Sequence, residues 1–289
     1  MSQAHGPDAF ERGVELFEAG EVAAAIECFE AAVRQDAERV DAWRWLGQAL
    51  AQNDEDTRAI AALQTCLHLD PYDLPSLLML GVSHTNNFDG RRALNYLKTW
   101  MAHNPEYAGR VDTADVEDAQ PVGYGVDHAL HQQVTRMFVD ATHVNPQDAD
   151  VWTVLGVLYH ITADYDMAVN AFREAVKLRP DNPELWNKLG ATLANANNND
   201  EAIGPYERAL ALRPGYVRAQ SNLGICHYNR GSYEQAVSVF LDILERNSEH
   251  SHLWSLLRMS LALMGRADAA EVSRGKDAGE VRRALAHPV

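Results

Sequence analysis

Cysteine is scarce in this 289-residue chain. The three present, Cys28, Cys66 and Cys226, lie far apart, each within a helical pattern. An odd count without close spacing argues against a disulfide framework and points to a reducing compartment. Cys28 and Cys66 read as small buried side chains. Basic residues are also short: 25 Lys and Arg face 41 Asp and Glu, a formal charge of -16. Such a surface repels nucleic acid and anionic membrane, so neither is expected as a partner; a basic partner is favoured. Many of the carboxylates do no more than keep the protein in solution.

Other absences narrow the function further. No apolar run approaches the 18 residues that would mark a membrane span. The first residues, MSQAHGPDAFERG, lack the basic region and apolar run of a signal peptide. There is no phosphate-binding loop, no nucleophile with a base at readable spacing and no paired-glycine dinucleotide fingerprint. His84 and His227 lie in or near predicted helices without a second ligand at metal spacing, so no metal or cofactor is expected. Trp43 and Trp45 read as packing, not as a platform for bases. A binding protein fits this profile, and an enzyme does not.

What the chain does have is self-similarity at a period of 34 residues. Registers begin near Gly6, Val40, Leu74, Ala149, Pro183 and Val217. Position 8 is Gly13, Gly47, Gly81, Gly156, Gly190 and Gly224 in turn. Position 20 is Ala25, Ala59, Ala93, Ala168, Ala202 and Ala236. Position 24 is large: Phe29, Leu63, Leu97, Phe172, Tyr206 and Phe240. Pro71, Pro105, Pro180 and Pro214 fall at position 32, where proline stops a helix. Each register reads as two antiparallel helices, A and B, with small residues where the backbones approach and large ones filling between layers. The pattern resembles the tetratricopeptide repeat. The expected fold is all-α: a repeat solenoid of about seven repeats in two arrays, with a C-terminal helical bundle.

The boundaries follow the pattern. Residues 6–106 read as a three-repeat array and 149–250 as a second. Between them, 107–148 reads as a degenerate fourth repeat or hinge. Its first helix is broken by Gly109, Pro121, Gly123 and Gly125, and ALHQQVTRMFVDATHVNP supplies its second. Residues 251–289 read as a helical extension long enough to cap the array and to fold back on it.

Helix A of each register is expected to line the inner face, through positions 2, 5, 6, 9, 12 and 13. Those positions hold Asn86, Asn187, Asn195, Asn222 and Asn229, with Arg218. Asparagine is a poor helix former. Asn86, Asn195 and Asn229 could be helix-terminal or turn residues, and Asn197–Asn199 an inter-helix turn. Asn187 and Asn222 fall mid-helix, where no cap is needed. An amide carries donors and an acceptor, so a row of them can pair with the main chain of an extended peptide of many sequences. Arg218 could pair with a carboxylate.

The stretch LWNKLGATLANANNNDEAIGPYERALALRPGYVRAQSNLGICHYNRG, residues 185 to 231, resembles the repeat domain of the peroxisomal import receptors for Ser-Lys-Leu type signals. FEAAVRQD, AWRWLG, LLMLGVSHTN and HLWSLLRMSLALMG extend the resemblance in matching order. It implies that the last residues of a cargo protein insert between two repeat arrays. Asn86, Asn187 and Arg218 would then hold the C-terminal carboxylate. Asn195, Asn222 and Asn229 would bind peptide backbone. Val82, Thr85, Lys188 and Ala191 would form the pocket for the final leucine, Lys188 through its aliphatic stem. An acidic surround would favour the lysine of the signal. Some family members carry an acidic residue where this chain has Asn87, so that attraction must come from another carboxylate. The resemblance also implies a cytoplasmic receptor that cycles to the peroxisomal membrane. It would dock through an N-terminal region expected to lie outside these residues, and would not itself insert into the membrane. Three other readings use such repeats. A co-chaperone clamp needs several inward Lys and Arg residues. A sugar-transfer enzyme needs a separate catalytic domain. A scaffold shows no preference for a peptide end.

Overall fold

The computed structural model describes residues 8–86, 89–111 and 128–287, and of Asn86 the backbone alone. The described residues form α-helices and a single 3-10 turn, with no strand among them. The chain divides into two compact units, residues 1–185 and 186–289, taken separately below.

The first unit holds three consecutive helix pairs: α1 (Ala9–Glu18) with α2 (Val22–Gln35), α3 (Val40–Gln52) with α4 (Asp56–Leu69), and α5 (Leu74–Asn86) with α6 (Gly90–His103). Then come α7 (His128–Val144) and a fourth pair, α8 (Ala149–Ile161) with α9 (Tyr165–Leu178). The first turn of α10 (Pro183–Asn195) ends this unit. Four first helices, α3, α5, α8 and α10, start on the residues where the 34-residue register places them. Helix α7, expected as the second helix of the degenerate repeat, is packed between α6 and α8. Its Val134, Met137 and Phe138 share one core with Leu97 and Trp100 of α6 and Val154 and Leu158 of α8. Tyr107 is fully buried ahead of α7, and its hydroxyl donates to Asp148 Oδ2 at 2.6 Å, at the start of α8. Burial and the adjoining carboxylate push that phenol far above the ordinary tyrosine range. The rest of the expected hinge, 112–127, lies outside the described residues. Far apart in sequence, Gln48 and Gln52 of α3 both donate to Glu184 Oε1, at 2.9 and 2.7 Å.

The second unit continues α10 and adds α11 (Asn199–Leu212), then α12 (Val217–Asn229) with α13 (Tyr233–Arg246). After it come α14 (Ser251–Leu263), α15 (Ala267–Val272), a 3-10 turn at Ser273–Gly275 and α16 (Ala278–Ala286). The C-terminal bundle was expected; its register was not. Helix α14 starts 34 residues after α12, so it is helix A of one more register, whose helix B is broken after six residues. Helix α16 packs back on α13, with Val281 in the core formed by Phe240, Leu244 and Trp254. Arg266 donates to the carbonyls of Ala284, Leu285 and His287, closing the free end of α16.

Two contacts and one backbone turn, repeated along both units, turn the period into this fold. A methyl group added at any position-8 glycine would lie 2.5–2.8 Å from the position-24 side chain of the same register. Phe172 covers Gly156 in this way, and Tyr206 covers Gly190. The glycine is therefore required by a large side chain seated on it, not chiefly by a backbone approach. At position 4, the indole N–H of Trp43, Trp152 and Trp254 donates to the carbonyl six residues earlier, at 2.8–2.9 Å. Gln220 does the same to Pro214. These bonds fasten each helix A to the preceding turn. At position 15 the backbone is left-handed in Gly20, Asp54, Ala163, Asn197, Gly231 and Gly265, which reverses the chain between A and B.

Candidate functional site

Of the residues singled out in the sequence, Val82, Thr85 and Asn86 belong to α5 in the first unit. Val82 and Thr85 are half-buried, and the Thr85 hydroxyl donates to Gly81 O at 2.9 Å within its own helix. The Asn86 side chain, like the whole of Asn87, lies outside the described residues.

The other seven lie in the second unit. Lys188, Ala191, Arg218 and Asn222 are half-buried, while Asn195 and Asn229 are exposed at the last residues of α10 and α12. Asn187 differs from all of these, being only 5% exposed. A buried amide without partners costs about 1–3 kcal/mol per unsatisfied group, so its neighbours matter. The Asn222 Nδ2 donates to Asn187 Oδ1 at 3.0 Å, joining the middles of α12 and α10. The Asn187 Nδ2 in turn donates to the Tyr216 hydroxyl at 3.4 Å. Tyr216 is buried in the turn just before α12, packed with Ala209, Ala219, Leu210 and Trp186.

The sequence therefore placed Asn187 and Asn222 correctly in mid-helix and missed their bond to each other. It also missed Tyr216, at the last position of its register. The readable signal was a tyrosine directly ahead of α12, where Asp148 stands ahead of α8. Asn197 and Asn198 are turn residues, as expected: Asn197 is left-handed, and Asn198 caps α11 by accepting from the Glu201 N–H; Asn199, expected in the same turn, is instead the first residue of α11, capped by Asn198.

Charge near the pair comes from Lys188 and Arg218, while Cys226 and His227 of α12 are disfavoured as ions. Burial pushes the Cys226 thiol up, and its sulfur donates to the Asn199 carbonyl at 3.0 Å. Burial and then the Arg230 charge hold His227 below the usual histidine value, against a weaker pull from Glu207. The chemistry on offer is hydrogen bonding by neutral amides. No group of three or more His, Cys, Asp or Glu that could hold a metal occurs among the described residues. No described helix is long and apolar enough to cross a membrane.

Paired helices with a small residue under a large one at a 34-residue period make this an all-α tetratricopeptide-repeat protein. Two family models agree: the tetratricopeptide repeat matches residues 10–73, and the cytochrome c-type biogenesis protein H TPR domain matches 140–252. Among curated proteins, the chain is similar to the receptors of peroxisomal import. It is 38% identical over 167 residues to peroxisome biogenesis protein 5 of Arabidopsis thaliana, covering 58% of this chain and 22% of that protein. It is 38% identical over 171 residues to the peroxisomal targeting signal receptor of Yarrowia lipolytica, covering 57% and 28%. It is 36% identical over 171 residues to the human PEX5-related protein, covering 57% and 27%. The matched part is thus between a fifth and a third of these relatives. Among solved structures, YrrB, a TPR protein with an unusual peptide-binding site, aligns over 79% of this chain and 96% of its own. Its identity is 17% and its TM-score 0.41.

Proposed function

We propose that this chain is the cargo-recognition part of a peroxisomal import receptor, and that it binds the free C-terminus of Ser-Lys-Leu type signals. The observation that carries the reading is the 36–38% identity to peroxisomal targeting signal receptors and their kin. The site chemistry supports it. Asn187 and Asn222 stand at the middle of two successive A helices, where neither capping nor the packing frame asks for an amide. Each spends part of its hydrogen-bonding capacity on the other, Asn187 gives one N–H to Tyr216, and the remainder is available to a ligand. Neutral amides suit a peptide main chain, whose N–H and C=O groups alternate, and they read no side chain. In this reading Asn187 donates to the terminal carboxylate, with Arg218 adding charge. Asn222, Asn195 and Asn229 pair with the backbone behind it. Binding needs no chemical step, so the module is a receptor and not an enzyme.

The alanine variants test this. Asn187→Ala and Asn222→Ala should each weaken binding of a peptide ending in Ser-Lys-Leu by about 1.5–3 kcal/mol, the value of one hydrogen bond to a charged group. Titration calorimetry gives the affinity and circular dichroism the fold. Unchanged affinity in both variants, with native spectra, would remove these amides from the site.

A further inference from the structure

We infer that Tyr216 is a positioning residue: its hydroxyl sets the direction in which Asn187 and Asn222 present their amide groups to a peptide. The inference rests on the peptide-binding reading and deepens it. An asparagine amide is nearly symmetric in shape, and turning it over exchanges donor for acceptor. A site that reads a carboxylate with an amide therefore has to prevent that turn. The structure contains the means. The chain of bonds runs Asn222 Nδ2 to Asn187 Oδ1, then Asn187 Nδ2 to the Tyr216 hydroxyl. Asn187 is thus engaged at both ends of its amide. Because the phenol hydroxyl and the Asn222 amide can each donate or accept, Asn187 turns over only if Asn222 and the hydroxyl proton turn with it, which couples the three groups.

What is left over follows by counting. Asn187 retains its second N–H, and Asn222 retains its Oδ1 and a second N–H. The pair therefore offers a donor from α10 beside an acceptor from α12. A carboxylate oxygen fits the first and a peptide N–H fits the second, which is the order found at the C-terminal end of a chain. Tyr216 is 4% exposed and is held by Ala209, Ala219 and Trp186, so its ring does not move to follow the ligand. A buried ring on a rigid turn keeps the two amides coupled before any peptide arrives, which removes part of the ordering cost of binding.

The test is a double-mutant cycle with Tyr216→Phe and Asn187→Ala, read by affinity for a fluorescent peptide ending in Ser-Lys-Leu. Phenylalanine keeps the ring and its packing and removes only the hydroxyl. Tyr216→Phe should weaken binding roughly 3- to 10-fold, and should add no further loss once Asn187 is alanine. A residue that only supports the fold would lose affinity equally in both backgrounds, and that additivity would overturn the inference; so would wild-type affinity for Tyr216→Phe. A second measurement needs no peptide. In the nitrogen–proton spectrum of the whole chain, the Asn187 side-chain amide should exchange slowly with water, and faster in Tyr216→Phe. If the wild type binds no such peptide, the receptor reading has failed and the ligand half of this inference with it. If the amide is unaffected by Tyr216→Phe, the positioning itself is wrong whatever the ligand.

Discussion

Helices α8 and α10 stand at the same place in their registers and are built on the same frame. Gly156 lies under Phe172, and Gly190 lies under Tyr206. Both open with a buried apolar or small residue, and both carry Trp at position 4. They part at positions 5 and 6. Helix α8 has Thr153 and Val154 there, both buried, and the Thr153 hydroxyl is spent on Ala149 O in its own helix at 2.7 Å. Helix α10 has Asn187 and Lys188, and the Asn187 amide reaches outside its helix to Tyr216 and α12. One frame thus carries two faces. The positions that build the pair are shared, and the amide stands at one that differs.

The largest effects should come from the frame, and should be alike in the two helix pairs. Phe172→Ala and Tyr206→Ala each empty a fully buried position and should each cost about 3–5 kcal/mol in urea unfolding. A loss below about 1 kcal/mol for one of them would break the equivalence of the two pairs.

The turns sharpen the contrast by a smaller amount. Position 15 is glycine at Gly231, but in the turn after α8 it is Ala163, with φ of 58°. A left-handed alanine costs about 1–2 kcal/mol. Glycine relieves this but loses about 0.5–1 kcal/mol of its own through the greater freedom of the unfolded chain. Ala163→Gly should therefore stabilise the protein by about 0.5–1 kcal/mol in the same assay. A net loss would show that the Ala163 methyl is held by contacts that outweigh the strain.

The smallest effect concerns acid. His227 near the end of α12 is neutral and half-buried, its proton affinity lowered by burial and by Arg230. In the unfolded chain a histidine takes up its proton as pH falls through about 6.5. Folded His227 does so only at lower pH. The unfolded state therefore binds more protons in that window, and stability falls on acidification from pH 7 towards 5. His84 in α5 is buried and shifted in the same direction, so it adds to the slope. His227→Gln should flatten the fall in melting temperature across this range. An unchanged slope would place the acid sensitivity elsewhere.

Most of the fold was legible because the period is local physics. The helix starts at Val40, Leu74, Ala149, Pro183 and Val217 could be read from spacing, since Gly at 8 answers to the large side chain at 24 of its own register and Pro at 32 stops helix B. The continuation of the register into α14 was also readable, from Trp254 standing 34 residues after Gln220, although its glycine is replaced by Arg258. The site was harder. Asn187 and Asn222 declared themselves as helix-breaking residues in mid-helix. Their bond to each other joins residues 35 apart, and the Tyr216 bond spans 29, so neither shows in any single repeat. The reason for the position-8 glycine was misread as a backbone crossing, because the facing side chain is visible only once the pair is folded.

The most direct test of the central claim, that the amides of α10 and α12 read a free peptide end, is a pair of affinities. A peptide ending in Ser-Lys-Leu is titrated against the chain, and then the same peptide with its C-terminus amidated. Amidation removes the charge and one acceptor oxygen, which should weaken binding at least about tenfold, the size of one charge-assisted hydrogen bond. Equal affinity for the two peptides would contradict the account.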